Sequence, residues 1–347
     1  MTPDSTFKLS DIRAFVRNVL VAWKTPDDVA EVVSASITQA EGKGVLSHGL
    51  MRLPQYLDLI AKGMLDVKAR PEIRRAGVAS LSCDGHHGFG MFTGYEIARA
   101  ASQVSSKTGI CLAVCTNINH LGMLEYFTET SAGEGFISIA MTNAHPTVAH
   151  PMGRSPVIGT NPVSISIPAV RSPFNLDMAI SRSSFGTIRE AALEGKRIPE
   201  GIAMDAEGNI TTDPVAALSG ALLPFGGIKG FALGMVVDML AGVLSGSAAG
   251  RAVVTWNDEG RMWNSGLFFI SIDPSFLMPQ EKFRGNIDRY LDTIRSYSYS
   301  QRVPGDMRRK KLQEAETRGI RIKPKTLQSL LNMARESGVA FPVSTIP

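Results

Sequence analysis

Cysteine is scarce in this chain of 347 residues: only Cys83, Cys111 and Cys115 occur. Three unevenly spaced thiols exclude a disulfide scaffold. With no HExxH or comparable histidine pair, and with the thiols inside apolar stretches, a metal site is not expected either. Long hydrophobic runs are also lacking. The best of them, Phe231 to Leu244, carries Asp238 and falls short of the roughly 20 residues that a membrane span needs. Met1-Thr2-Pro3-Asp4-Ser5 shows no basic segment leading into an apolar one, so no secretory signal is read and the cytoplasm is the expected location.

Charge is sparse and mixed: 20% of residues are charged and the net charge is +4. The basic residues are interspersed with acidic ones, except in Arg308-Arg309-Lys310-Lys311. That run reads as the solvated start of a helix, so nucleic acid is not an expected partner. A mild attraction for anionic small molecules is what remains. Hydrophobic residues at 44% suffice for an ordinary globular core.

Helices open the chain. Thr25-Pro26-Asp27-Asp28 reads as an N-cap, a first-turn proline and two acids at the positive end of a helix dipole. A further helix is expected from about His48 to Leu65, with Leu50, Leu53, Tyr56, Leu57 and Ile60 as its buried stripe. Apolar runs at Val78 to Cys83, Ile110 to Thr116 and Phe136 to Met141 then alternate with helical stretches, which indicates an α/β arrangement. The pattern changes at Val163 to Ile167 and Asn175 to Ile180, whose short, proline-marked connection suits antiparallel neighbours. A helix from about Lys229 to Leu244 carries Gly230, Gly234, Ala241 and Gly242, which predicts close packing against another backbone.

Chemistry concentrates in a few places. The glycine turn Gly88-Phe89-Gly90, followed by Gly94, lies between a strand and a helix. Its spacing is not GxGxxG, and no acidic residue closes a second strand downstream, so it does not make a Rossmann site. All six histidines fall between His48 and His150, and imidazole is the natural proton carrier near neutral pH. His48 and Arg52, four residues apart, would share a helix face, where a guanidinium grips a carboxylate while an imidazole serves the neighbouring oxygen. The same spacing also suits a decorated surface helix start. His120 follows an apolar strand, where it can cap a helix or serve a ligand. Gly226-Gly227-Ile228-Lys229-Gly230 offers either a phosphate cradle at a helix N-terminus or a flexible turn with a snorkelling lysine.

Taken in order, the motifs resemble the malate/L-lactate dehydrogenase family that is distinct from the Rossmann-fold lactate and malate dehydrogenases. The matching pieces are Ser47-His48-Gly49 with Arg52, Asp84-Gly85 with Gly88 and Gly90, Asn119-His120-Leu121-Gly122, Thr142-Asn143, Gly159-Thr160-Asn161-Pro162, Leu176-Asp177-Met178-Ala179, Thr212-Asp213-Pro214 and Pro224 to Gly230. They span about residues 8 to 340.

The resemblance implies a homodimeric NAD- or NADP-dependent oxidoreductase that acts on a small 2-hydroxy or 2-oxo acid. The implied fold is α/β and non-Rossmann, a largely antiparallel mixed sheet flanked by a helical domain built from both chain ends. The expected segments are 1–70, 71–274 and 275–347. Implied roles are His48 or His120 as proton donor, Ser47 beside His48, and Arg52 and Asn143 on the substrate. His120, Leu121, Gly122, Met123, Leu124, Thr160, Asp177, Met178, Ala179, Lys229, Gly230, Gly305 and Asp306 are implied for the cofactor. Relatives that reduce cyclic imino acids carry an aspartate after the glycine matching Gly186, where this chain has Thr187, which counsels against that subclass. Ile180 and Asp306 also depart from the common threonine and glutamate. The rival classes are a cofactor-free lyase and a ligand-binding protein.

Overall fold

The computed structural model describes residues 5–254, 258, 260–300 and 302–344. The amino-terminal Met1 to Asp4, read above for a signal, lies outside them.

The amino-terminal part holds β1 (Thr6–Phe7), α1 (Leu9–Ala22), α2 (Asp27–Gly42) and α3 (Leu53–Ala61). In α1, Ile12, Phe15, Val16, Val19 and Leu20 repeat at three- and four-residue steps and are all buried. The helix expected from His48 is shorter than its apolar spacing suggested. Two 3-10 turns, Leu46–His48 and Leu50–Arg52, precede α3. Gly49 is the cause: it runs extended at φ −91°, ψ −147°, and it is pressed so tightly on Glu41 that a Cβ would lie 2.1 Å from Oε2. The Glu41 carboxylate in turn accepts a hydrogen bond from the Leu50 amide at 2.9 Å. A contact nine residues upstream overrides helical propensity.

Next come β2 (Glu72–Gly77), β3 (Ser80–Asp84), α4 (Gly90–Thr108), β4 (Ile110–Ile118), α5 (Glu125–Gly133), β5 (Ile137–Thr142), β6 (Val148–Ala149), β7 (Pro156–Ile158), β8 (Val163–Ile167) and β9 (Phe174–Met178). They are followed by α6 (Phe185–Leu193), β10 (Ala203–Met204), α7 (Pro214–Leu218), β11 (Ala221–Leu222), α8 (Ile228–Val237) and β12 (Ser265–Ile272). The chain closes with α9 (Gln280–Ser296), α10 (Asp306–Arg318), β13 (Ile320–Arg321) and α11 (Pro324–Ser337).

Seven strands form the main sheet in the order β2-β3-β4-β12-β5-β8-β9. Only β3 and β4 pair in parallel; every other neighbouring pair is antiparallel. The β8–β9 hairpin is as its sequence predicted. The insertion of β12 between β4 and β5 turns what reads locally as a parallel succession into an antiparallel one. A four-stranded sheet, β10-β11-β6-β7, lies apart from it in the hydrogen-bonding order. β1 and β13 join the two chain ends, and Phe7 pairs with Ile320. One apolar core then runs through Phe7, Ile12, Val33, Leu53, Tyr56, Leu330 and Met333, so the helical layer is built from both termini. By contrast α9 binds the loop after β8, where Arg284 donates to the Ala169 carbonyl and Arg171 pairs with Asp288 and Asp292.

The long glycine-bearing helix meets the close contacts expected of it. A Cβ on Gly234 would strike Ile158 and Ile180, and one on Gly242 would lie 2.6 Å from the Ala248 carbonyl. Past Val237 it widens into a π-helical turn, Asp238–Val243, where Asn143 donates to the Asp238 carboxylate at 3.1 Å.

The basic run at 308–311 corrects its sequence reading. Arg308 binds Glu125 and Asp177, and Arg309 binds the Pro173 carbonyl and Asp306. Glu125 also receives Lys43 at 2.8 Å, and both of those side chains are 1% exposed. Lys43, Glu125, Arg308 and Asp177 thereby tie α2, α5, α10 and β9 together. Breaking a buried pair leaves an uncompensated charge. Lys43→Ala is expected to lower unfolding free energy by about 3–5 kcal/mol in urea titration, whereas Lys62→Ala, at the exposed pair with Asp58, is expected to change it by less than about 1 kcal/mol.

Candidate active site

Two imidazoles converge from segments far apart in the chain. His48 comes from the 3-10 turn after α2, and His120 from the loop that follows β4. Their ring centroids are 5.5 Å apart and the planes are inclined by 22°. The close approach of α4 to the His120 loop depends on Gly90, where a Cβ would lie 2.1 Å from the Asn119 carbonyl and 2.7 Å from that of His120. Asn119 fixes the same loop by donating to the His87 carbonyl at 2.6 Å. Trp263 meets the His120 ring edge-on at 6.1 Å.

Each imidazole is anchored through Nδ1, His48 by the Ser47 hydroxyl at 2.9 Å and His120 by the Tyr56 phenol at 2.8 Å. At His48, proton exchange with a ligand therefore falls to Nε2. Arg52 does not share a helix face with His48 as its spacing suggested. It folds back so that Nε donates to the Ser47 carbonyl at 2.5 Å and Nη1 to Gln55 Oε1 at 2.7 Å. These bonds fix the guanidinium plane beside the imidazole pair.

Burial and positive neighbours depress the imidazoles. Burial, then Arg52 and Arg308, push His48 down to about 3. Burial, then Arg52, His48 and His145, hold His120 well below the usual imidazole value. Burial depresses His145 too, partly offset by Asp258. The Tyr56 phenol is driven well above its usual range by burial, so it stays protonated. Both imidazoles are therefore neutral, and the position for an anion is already cationic. Since their folded values lie below the free value of 6.5, the histidines contribute full stability above about pH 6.5 and lose it as the pH falls toward 3.

Among the other residues implied for substrate and cofactor, the structure distributes the roles differently. Asn143 is corrected: its amide donates to Asp238 and the Ala248 carbonyl, and its oxygen accepts from the Gly266 amide. These bonds hold it at the β12 bulge between Ser265 and Leu267. Leu121, Met123 and Leu124 are core side chains, so that loop offers a ligand its backbone and His120. Gly122 takes φ +71° beside Met91.

Asp177, on the edge strand β9, is bound by Arg308, and burial raises its carboxyl to about 6. Beyond Met178 and Ala179 the chain links directly to another implied position, Thr160, and to the segment before the glycine turn. The Ile180 amide donates to the Thr160 carbonyl, and the Phe225 amide to that of Ile180. This places Thr160 and the end of β9 against the turn at Gly226 and Gly227, whose φ values are +57° and +62° with open space around them. There α8 begins without a side-chain cap and Lys229 is exposed. Gly230 is instead packed on the Phe225 carbonyl. Gly305, at φ +92°, lies against Asn175 of β9, and Asp306 is held by Arg295. The uncapped, open turn at Gly226 and Gly227 beside the end of β9 fits an extended anion such as a dinucleotide.

Tyr56, Gln55 and Arg308 are the site residues that sequence reading missed. Tyr56 was legible only as core, although a buried phenol must find a partner.

The imidazole pair beside a fixed guanidinium, on this antiparallel α/β fold, defines an oxidoreductase for small hydroxy or oxo acids. The chain belongs to the malate/L-lactate dehydrogenase family, whose pattern matches residues 7–331. It is 34% identical over 331 residues to the L-sulfolactate dehydrogenase of Methanothermobacter thermautotrophicus, covering 95% of this chain and 97% of that one. The Delta(1)-pyrroline-2-carboxylate/Delta(1)-piperideine-2-carboxylate reductase of Pseudomonas putida is 30% identical, covering 92% and 94%. Among solved structures, the sulfolactate dehydrogenase of Methanocaldococcus jannaschii superposes with a TM-score of 0.91 at 29% identity, covering 97% and 98%.

If Gly90 sets the position of His120, Gly90→Ala is expected to cost about 1–3 kcal/mol in stability and to lower turnover even where the protein remains folded. Thermal unfolding and steady-state rates on the same sample check both.

Proposed function

We propose that this enzyme transfers a hydride between a nicotinamide cofactor, NAD or NADP, and C2 of a small 2-hydroxy or 2-oxo acid of the malate and sulfolactate kind. The observation that carries the reading is the anchored imidazole pair facing one guanidinium. Arg52 binds the substrate C1 carboxylate and orients C2. His48 Nε2 gives its proton to the 2-oxygen in reduction and takes it back in oxidation; His120, in the same setting, is the alternative donor. Ser47 and Tyr56 keep Nε2 of each ring aimed inward. The cofactor supplies or accepts the hydride. Thr160, the Asp177 to Ala179 edge, Gly226, Gly227 and Lys229 would hold it, the last three at its phosphates.

We take the working assembly to be a homodimer in the cytoplasm. An apolar exposed face on the long helix, Met235, Val236, Met239 and Val243, supports the dimer, and three unpaired buried thiols support a reducing compartment. Reduction of cyclic imino acids is the second reading, because a relative carries that name. Thr187 speaks against it, since its backbone and hydroxyl are bound to Ser184 and no acid occupies that position.

Assays of 2-oxo and cyclic imino acids with NADH and NADPH test the reading. In the preferred reaction, His48→Asn is expected to reduce kcat about 100- to 10,000-fold, with the smaller loss in His120→Asn. Arg52→Gln is expected to raise KM at least about tenfold. Near-native turnover in both histidine variants contradicts the acid–base assignment.

A further inference from the structure

One carboxylate of the helical layer is buried beside the site without entering it. Glu41, in the last turn of α2, is 8% exposed. Among the described residues, the Leu50 amide at 2.9 Å is the only hydrogen-bond partner of its carboxylate, and no cation reaches ion-pair distance. Lys323, whose charge bears on Glu41 from further off, is bound to Glu190 of α6 instead. Burial therefore pushes the Glu41 carboxyl above its usual range, against the pull of the amide and of Lys323. Packing alone does not call for such a group, since an apolar side chain of similar size fills the space without desolvating a charge.

What the carboxylate holds is the joint between the two 3-10 turns. Leu46–His48 is closed by the His48 amide on the Val45 carbonyl and the Gly49 amide on that of Leu46, and Leu50–Arg52 by the Arg52 amide on the Gly49 carbonyl. His48 thus rides on one turn and Arg52 on the other, with Gly49 and the Leu50 amide between them. Side-chain ties set the angle from both sides. On the site side, Arg52 Nε donates to the Ser47 carbonyl, through the same guanidinium that is to grip a substrate. On the core side, Glu41 takes the Leu50 amide and lies so close to Gly49 that a Cβ there would be 3.2 Å from Glu41 Cα as well as 2.1 Å from Oε2. The core-side tie is independent of whatever Arg52 binds.

We propose that Glu41 is a positioning residue: through the Leu50 amide and Gly49 it fixes the angle between the two turns, and with it the placement of the His48 imidazole relative to the Arg52 guanidinium. The proposal rests on the function given above, in which both groups meet one substrate. A misplacement of about 1 Å in such an alignment is worth on the order of 100-fold in rate.

The test measures steady-state rates on oxaloacetate, sulfopyruvate and pyruvate with NADH and NADPH, and the affinity for the preferred reduced cofactor by fluorescence titration. It uses Glu41→Ala, Glu41→Gln, Gly49→Ala and the double variant Glu41→Ala with Gly49→Ala, at a temperature where each is folded. Glu41→Ala should lower kcat/KM for the best substrate about 10- to 100-fold, with cofactor affinity changed less than about twofold. Glu41→Gln, which keeps an oxygen for the Leu50 amide, should return to within about fivefold of the intact enzyme. Gly49→Ala, whose Cβ displaces that oxygen, should lose as much as Glu41→Ala, and the double variant should lose less than the product of the two losses, because both remove one contact. Should Glu41→Ala fail to fold, Glu41→Gln against Gly49→Ala decides the same point. Near-native turnover in Glu41→Ala, equal losses in its alanine and glutamine variants, a parallel loss of cofactor affinity, or losses that multiply in the double variant overturn the role of Glu41 and leave the proposed function standing. Turnover of none of the three substrates by the intact enzyme overturns both.

Discussion

Like charges set the character of this site. Arg52 is fixed by the Ser47 carbonyl and Gln55 beside two buried imidazoles whose rings are 5.5 Å apart. The guanidinium keeps its proton, and the imidazoles give theirs up. A resting site of this kind holds no proton to deliver. An anion on Arg52 offsets the positive neighbour that, after burial, most depresses the rings, and so raises their affinity for a proton. Substrate capture thereby favours proton uptake at the imidazole pair.

The rest of the fold keeps those groups from moving apart. His48 hangs from the helical layer and His120 from the loop at the end of β4 in the sheet, so their spacing is only as rigid as the join between the two. Gly90 allows α4 to touch the His120 loop. Lys43, Glu125, Arg308 and Asp177 lock helices from both chain ends onto β9. A low-dielectric ion network of this type gains little net stability compared with apolar packing, but it tolerates only one geometry. Its cation Arg308 also bears on His48, so the join and the site share a charge.

Much of this was legible in the sequence where the cause is local. The alternating strand and helix pattern, the β8–β9 hairpin and the glycine face of α8 follow from side-chain periodicity and turn chemistry. His48, Arg52 and His120 were found as residues, through histidine clustering and the order of motifs. Their geometry was not, because Gly49 is bent by Glu41, a contact that periodicity does not encode. Asn143 looked like a ligand-facing amide after a strand; its partners Asp238, Ala248 and Gly266 lie about a hundred residues downstream. Arg308 read as solvated for the same reason, with its acids at positions 125 and 177. Insertion of β12 between β4 and β5 is likewise a long-range pairing that neither strand announces.

The central claim, that an anion on Arg52 brings a proton to the imidazole pair, is open to direct measurement. Calorimetric titration of oxalate into the enzyme with its reduced cofactor, at pH 7.5 or so in buffers of different ionisation enthalpy, counts protons exchanged on binding. The account predicts net proton uptake on binding, lost in Arg52→Gln together with most of the affinity. Oxalate binding with no proton uptake at neutral pH would contradict it.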